Sequence, residues 1–468
     1  MKRFPSWIPA LRRTVLILAT LATAAAAAWL EEDVRGEREL RRFAKQCADE
    51  GRPLDYAFYR PPPVADEQNL FQAPVIARVM NDLKDPLVLD LPSMGLTRIM
   101  GQWQRGKGTA FGDVFGILKR TPPAGSPADA KAAAALILEA MEKAKPELDA
   151  IGDAALERPY SQIPFRPDGY LSPTFRGLRY FTQALTLRAV AEVELGRNED
   201  AFRDLYASLR FTEGAVLFPS HLHLMMANVM GTLDVQAFWE GWLKGAWNEA
   251  QLKRIQEVLS RLHPLRQLPA AFAAGRAYGG SHVSDLGQPW WMPEGWRKMN
   301  AVRYYTSGTA GGDLSSFDPV LETVDIAAVD RDIARAEGVE HTLSPLMWLS
   351  RNEAWSPRIA VWIGASQNTF ALARTVCALE RHRLARGKYP ASLAGLVPAF
   401  LDSVPRDVID GQPLRYACPD GLHFSLYSVG YNRTDDRGAL PGKTDKGYAS
   451  FVWASREGDW VWPQSEAR

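Results

Sequence analysis

Ser281, His282 and Asp285 place a nucleophile, a base and an orienting carboxylate in one short stretch. A working triad usually draws its members from different elements, so that each side chain is aimed independently, and neighbours in one segment do not meet that need. The chain has no Gly-x-Ser-x-Gly elbow and no His-Glu-x-x-His pair, so hydrolase chemistry finds no second support. His221 and His223 could converge on one metal only from extended backbone, because side chains two apart on a helix point to nearly opposite faces. Gly106, Gly108 and Gly112 follow no strand and lack the spacing of a phosphate-binding loop, so they read as a flexible turn. Trp290, Trp291 and Trp296 offer the most testable ligand idea, stacking on a sugar ring; the plainer alternative is that they fill a loop-rich core or an interface.

Charge balance removes one class of partner. Lys plus Arg number 55 against 54 for Asp plus Glu, so no field of one sign exists to hold nucleic acid. With 468 residues, 46% hydrophobic and 23% charged, the chain is ordinary globular material. Cys47, Cys377 and Cys418 are too few and scattered for a disulfide framework or a cysteine zinc site. Cys377 reads as a small buried side chain, with a Cys377–Cys418 bridge as the alternative in an oxidising compartment.

The elements that must position these residues begin with an anchor. Lys2, Arg3, Arg12 and Arg13 precede residues 14–30, which carry no charge, and Glu31, Glu32 and Asp33 follow at once. Such a run is long enough to span hydrocarbon; the small residues from Ala24 to Ala28 leave a cleaved export signal as the competing reading. Trp29 at the interface favours the uncleaved anchor. The basic flank puts the N-terminus in the cytoplasm. The expectation is a single-pass inner-membrane protein with its bulk on the periplasmic side. Residues 31–47 read as a stalk helix, with Glu31–Arg35 and Glu37–Arg41 spaced for pairing, a stripe of Val34, Leu40, Phe43 and Cys47, and a stop at Gly51-Arg52-Pro53.

Pro61, Pro62 and Pro63 stiffen the next segment into a spacer or a pinned loop. Residues 177–214 read as an αα-hairpin, with Leu185, Ala189 and Val193 before Gly196 and Ala201, Leu205 and Leu209 after it. Its turn resembles that of a tetratricopeptide repeat, but one copy cannot stack into a solenoid, so a helical layer is expected. Met225, Met226, Met230, Phe238, Trp239 and Trp242 supply core bulk. Residues 367–386 form a helix with Phe370, Ala373, Cys377 and Leu384 inward and Gly387 as its cap. Residues 414–418 and 422–429 make a hairpin around Pro419-Asp420-Gly421. A tail strand pair is expected, with Phe451, Trp453, Trp460 and Trp462 forming one apolar face.

The order within residues 370–440 is a helix ending at Gly387, a loop carrying Tyr389-Pro390 and Pro405-Arg406-Asp407, two strands, and an Asp435-Asp436 turn. It resembles the globular part of the type II secretion major pseudopilins. Pro61-Pro62-Pro63-Val64 followed by Asn69 and Phe71, together with the closing Gly-Asp-Trp-Val-Trp-Pro, also resembles a set of membrane-anchored bacterial proteins that end in such a region and have no established activity. The resemblance implies calcium at Asn432, Asp435 and Asp436; six to eight oxygens would need backbone carbonyls and Asp445 or Asp459 as well. An acidic surface turn is the alternative. Residues 14–30 lack the acidic residue of a true pseudopilin, so processing into a pilus is not expected.

The expected architecture is α+β. Residues 1–50 hold the anchor and stalk, 51–172 a proximal segment, 173–365 a helical body and 366–468 a pseudopilin-like module. The expected role is non-enzymatic assembly or interaction with envelope proteins; the alternative is glycan binding or cleavage by the Trp-rich loop.

Overall fold

The computed structural model describes residues 7–82, 99–100, 102–119, 129–165, 173–281, 293–306, 316–338, 355–440 and 458–464. Helices come first along the chain: α1 (Trp7–Asp49), α2 (Pro74–Asn81), α3 (Asp113–Ile117), α4 (Ala130–Ala140), α5 (Lys145–Glu157), α6 (Pro173–Glu194) and α7 (Asn198–Leu217). Next are α8 (His221–Leu243), α9 (Glu249–Leu259), α10 (Pro264–Ser281) and α11 (Glu294–Thr306). The hairpin β1 (Phe317–Asp318) and β2 (Thr323–Val324) leads into α12 (Ile326–Gly338) and α13 (Trp355–Arg386). A small sheet of β3 (Arg415–Ala417), β4 (Ser425–Ser428) and β5 (Trp460–Val461) follows. The α+β class holds, helix predominating. Two units are distinguished: Met1–Tyr59 with Phe272–Asp313 and Arg335–Ser356, and Arg60–Ala271 with Leu314–Ala334 and Pro357–Arg468.

In the first unit, α1 runs unbroken through the apolar stretch and the stalk. Leu16, Ile17, Leu18 and Leu21 are all at least 60% exposed, and the helix is long and apolar enough to cross a membrane. Beyond residue 30 its character changes, because α11 packs on it. A Cβ on Gly36 would stand 2.1 Å from the Gly295 carbonyl oxygen, so the two backbones meet with no room for a side chain. Gly295 N donates to Asp33 Oδ1 (2.8 Å), Trp296 Nε1 to Glu32 Oε2 (2.9 Å) and Lys298 Nζ to Glu37 Oε2 (2.6 Å). Leu40 and Phe43 pack on Ala301. Two stalk details differ from expectation. Val34 faces outward, since the packed face is centred on Gly36; Arg35 reaches Glu32, one residue closer in the chain, instead of Glu31. Arg41 does pair with Glu37 at 2.6 Å.

In the second unit, α6 and α7 form the helical hairpin, turning at Gly196 with φ 75°. The six apolar positions named for it are all buried. So are Asp204, Ser208, Arg210, Thr212 and Glu213, because α5, α6, α8 and α9 surround α7. Each of these polar groups is answered inside, Ser208 and Thr212 by Asp234 and Arg210 by Glu213 (2.7 Å). The proline segment is a pinned loop. Gln162 Nε2 donates to Pro62 O (2.7 Å), and Asn69 both accepts from Gln162 N (3.0 Å) and donates to Gln162 O (2.8 Å). Phe71, fully buried, occupies the space left by Gly214.

The C-terminal elements pack into the helical body. Phe370 of α13 lies where a Cβ on Gly231 of α8 would be 2.4 Å from its ring. Leu384, expected inward, is 47% exposed near the helix end. Cys377 is buried and unbridged, its thiol pKa pushed up by burial. The hairpin forms with Ala417 opposite Ser425 and Arg415 opposite Tyr427. The tail, expected as a strand pair of its own, instead adds β5 to β4, with Tyr427 opposite Val461; Phe451 and Trp453 lie outside the described residues. Trp462 sits among Trp103, Phe238 and Trp242 with ring centroids 5.2 to 5.9 Å away, and Trp239 Nε1 donates to Pro463 O. Burying an aromatic side chain of this size contributes about 1.5–3 kcal/mol.

Candidate functional site

A cavity of about 530 Å³ opens between the start of α10, the β1–β2 turn, the middle of α13 and the loop 403–413. Its apolar wall includes Leu259, Leu262, Phe370 and Val408, all buried. Charge comes from Arg266, Arg374 and Arg406 against Glu322.

The β1–β2 turn is shaped from within. Asp318 Oδ1 accepts from Val320 N (2.8 Å) and Leu321 N (2.9 Å), which holds Val320 and Leu321 on the rim at 83% and 64% exposure. Glu322 then adopts φ 55°, left-handed backbone that costs a non-glycine residue about 1–2 kcal/mol. That conformation is over-determined by its carboxylate, which accepts from Gln367 Nε2 (2.5 Å), meets His263 Nδ1 (2.8 Å) and pairs with Arg266. Burial alone would raise the Glu322 pKa, but His263 and Arg266 hold it below the usual carboxylate value. The other ring nitrogen of His263 faces Ser260 O at 2.9 Å, so both ring nitrogens are engaged within the fold.

Arg374 is answered differently. Its side chain is 17% exposed, and its ion partner is Asp402 at 3.9 Å, whose own side chain is 99% exposed. Arg374 Nε is buried with no hydrogen-bond partner among the described residues. Burial therefore pulls its pKa down, with Asp402 and Glu322 opposing. Arg406 is carried by a fixed loop. Asp407, fully buried, accepts from Ile409 N (2.9 Å), Ser428 Oγ (2.8 Å), Val429 N (2.9 Å) and Arg415 Nη1 (3.1 Å), fastening Pro405-Arg406-Asp407 to β4. A second cavity of about 400 Å³ shares Leu321 and Arg406 and adds Arg433.

The residues singled out from sequence lie elsewhere. Asn432, Asp435 and Asp436 share the turn after β4, where Asn432 Nδ2 donates to Asp436 Oδ2 (2.7 Å) and Tyr427 OH to Asp435 Oδ1 (3.0 Å). Buried Asp459 closes the turn by accepting from Asp436 N (3.3 Å) and Gly438 N (2.7 Å). Asp445 lies outside the described residues. Among those residues no group of three or more acid, histidine or cysteine side chains is arranged to hold a metal ion. Trp296 is half-buried on α11 with its indole N–H on Glu32; Trp290 and Trp291, like His282 and Asp285, lie outside the described residues. His221 and His223 open α8, where burial pushes their pKa values down to about 4 and about 3. Gly106 takes φ 65° in a turn, as read from sequence.

Arg374, Arg266, His263 and Glu322 carry no motif that would have found them. The one trace is a charged residue four positions after Phe370, beside the buried face of α13. No protein-family model matches the chain, and neither a curated protein nor a solved structure matches it.

Proposed function

We propose that the protein is a single-pass inner-membrane protein, held by α1, with its bulk on the periplasmic side and a non-enzymatic role in assembly or interaction at the cell envelope. The observation that carries this reading is the two-part character of α1. Its first half exposes apolar side chains throughout, and its second half is locked to α11 through Gly36 and Gly295. A helix built this way would transmit the position of the membrane rigidly to the unit it joins. The basic residues before the apolar run support the orientation.

The end module supports the interaction role by resemblance. Helix, Pro-Arg-Asp loop, hairpin and acidic turn follow the order of the major pseudopilins, while the turn of the α6–α7 hairpin is similar to that of a tetratricopeptide repeat. In a pseudopilin the helix before the sheet continues from the membrane; here α1 and α13 are separate helices, which argues for a scaffold reusing the module and against a pilus subunit. The commitment of Trp296 to Glu32 counts against the glycan reading.

A photocrosslinking residue at Leu422, 65% exposed on the module, tests the proposal in native membranes. Adducts with envelope assembly or secretion proteins are expected. Adducts with peptidoglycan fragments alone, or none, would overturn the interaction role.

A further inference from the structure

We propose that the cavity at Arg374 binds a small amphiphile with an anionic head, carboxylate or phosphate, and that the Arg374 guanidinium receives that head. This goes beyond the anchoring and assembly role and does not depend on it.

The charge count is the first argument. Among the described residues three guanidiniums line the cavity against the single carboxylate of Glu322, and that carboxylate is already engaged by His263, Gln367 and Arg266. Arg374 is left with Asp402 at 3.9 Å, and an acid that is 99% exposed can turn into water at little cost. A buried guanidinium whose Nε lacks an acceptor is under-satisfied, and a forked acceptor would supply what is missing. Carboxylate and phosphate have that fork; a neutral head does not.

The apolar surroundings are the second argument. Leu259, Leu262, Phe370 and Val408 form the wall beside the cation, and Val320 and Leu321 are held exposed at the rim. Two aliphatic side chains presented mostly to water on a turn fixed by Asp318 add little packing to the fold. They would pack against the hydrocarbon part of a ligand whose head is at Arg374. A volume of about 530 Å³ accommodates a small molecule of this kind. The strained Glu322 has a place in this arrangement: φ 55° goes with a carboxylate turned onto Arg266, which leaves the deeper cation with the exposed Asp402.

Calorimetric titration of the full chain in nanodiscs of neutral phosphatidylcholine tests the proposal. The probes are octanoate, octyl phosphate, octanol and inorganic phosphate. Saturable binding of octanoate or octyl phosphate is expected, at least about tenfold tighter than octanol or inorganic phosphate. The stronger of the two heads identifies carboxylate or phosphate as the source. Arg374→Gln should weaken the amphiphile by about tenfold or more, with Arg374→Lys retaining part of the affinity. If Arg374→Gln fails to fold, Leu321→Asp at the exposed rim gives the independent reading and should also weaken binding. No saturable binding by any probe would overturn the site. Equal affinity in the Arg374 and Leu321 variants would overturn the placement, and inorganic phosphate binding as tightly as octyl phosphate would overturn the amphiphile.

Discussion

Arg188 on α6 and Arg374 on α13 are both largely buried arginines of one unit, and their surroundings are opposite. Arg188 is 3% exposed; it grips Asp204 with two nitrogens, and Asp149 and Glu192 stand 3.0 and 3.8 Å away. Burial alone would lower its pKa, yet Asp204 and the other carboxylates drive it up. Asp204 and Glu192 in turn are pushed upward by burial. Among the described residues Arg374 has a single ion partner, the exposed Asp402 at 3.9 Å, and burial prevails. A buried cation answered on every side is part of the fold, whereas one left half-answered beside a cavity is free to serve a ligand.

The largest effect should separate the two directly. Arg188→Met leaves Asp204 and Glu192 buried without their cation and should cost about 3–5 kcal/mol in denaturant unfolding. A loss below about 1 kcal/mol would mean that the network is not the structural closure described here. A medium effect sits beside it, in the pocket formed by Ser208, Thr212 and Asp234. Burial raises the Asp234 pKa to about 7, against hydrogen bonds from both hydroxyls. The folded state therefore holds this proton more tightly than the unfolded chain, whose value is near 3.8. Stability from this group is full below 3.8 and is lost as pH rises through about 7. Asp234→Asn should flatten that decline in denaturation midpoints taken across the window; an unchanged slope would assign it elsewhere. The smallest effect belongs to Arg374→Gln, which should shift stability by no more than about 1 kcal/mol in either direction, since little is lost when a half-answered charge is removed. A cost near that of Arg188→Met would erase the contrast.

Local signals made part of the architecture legible. A charge-free run between basic and acidic flanks is enough to propose α1, and Pro419-Asp420-Gly421 places the β3–β4 hairpin, which forms with Ala417 opposite Ser425. Gly387 caps its helix with φ 76° as the cap rule requires. What escaped was set by tertiary contact. The buried polar side of α7 looks like a solvated face in sequence, because the groups that answer it, the Arg188 guanidinium and the Asp234 carboxyl, come from α6 and α8. Trp460 and Trp462 suggest one face of an isolated strand pair, yet they are buried where β5 joins β4 and meets the helical body. The Arg374 cavity is assembled from four segments far apart in the chain, so no local spacing announces it.

The most direct test of the central claim is to wash membranes from cells making the full chain at alkaline pH and to sequence the N-terminus of the protein that remains. The chain should stay in the membrane fraction with residues 11–30 still attached. A protein released by the wash, its N-terminus newly made within residues 24–31, would identify the apolar run as a cleaved export signal and contradict the anchor.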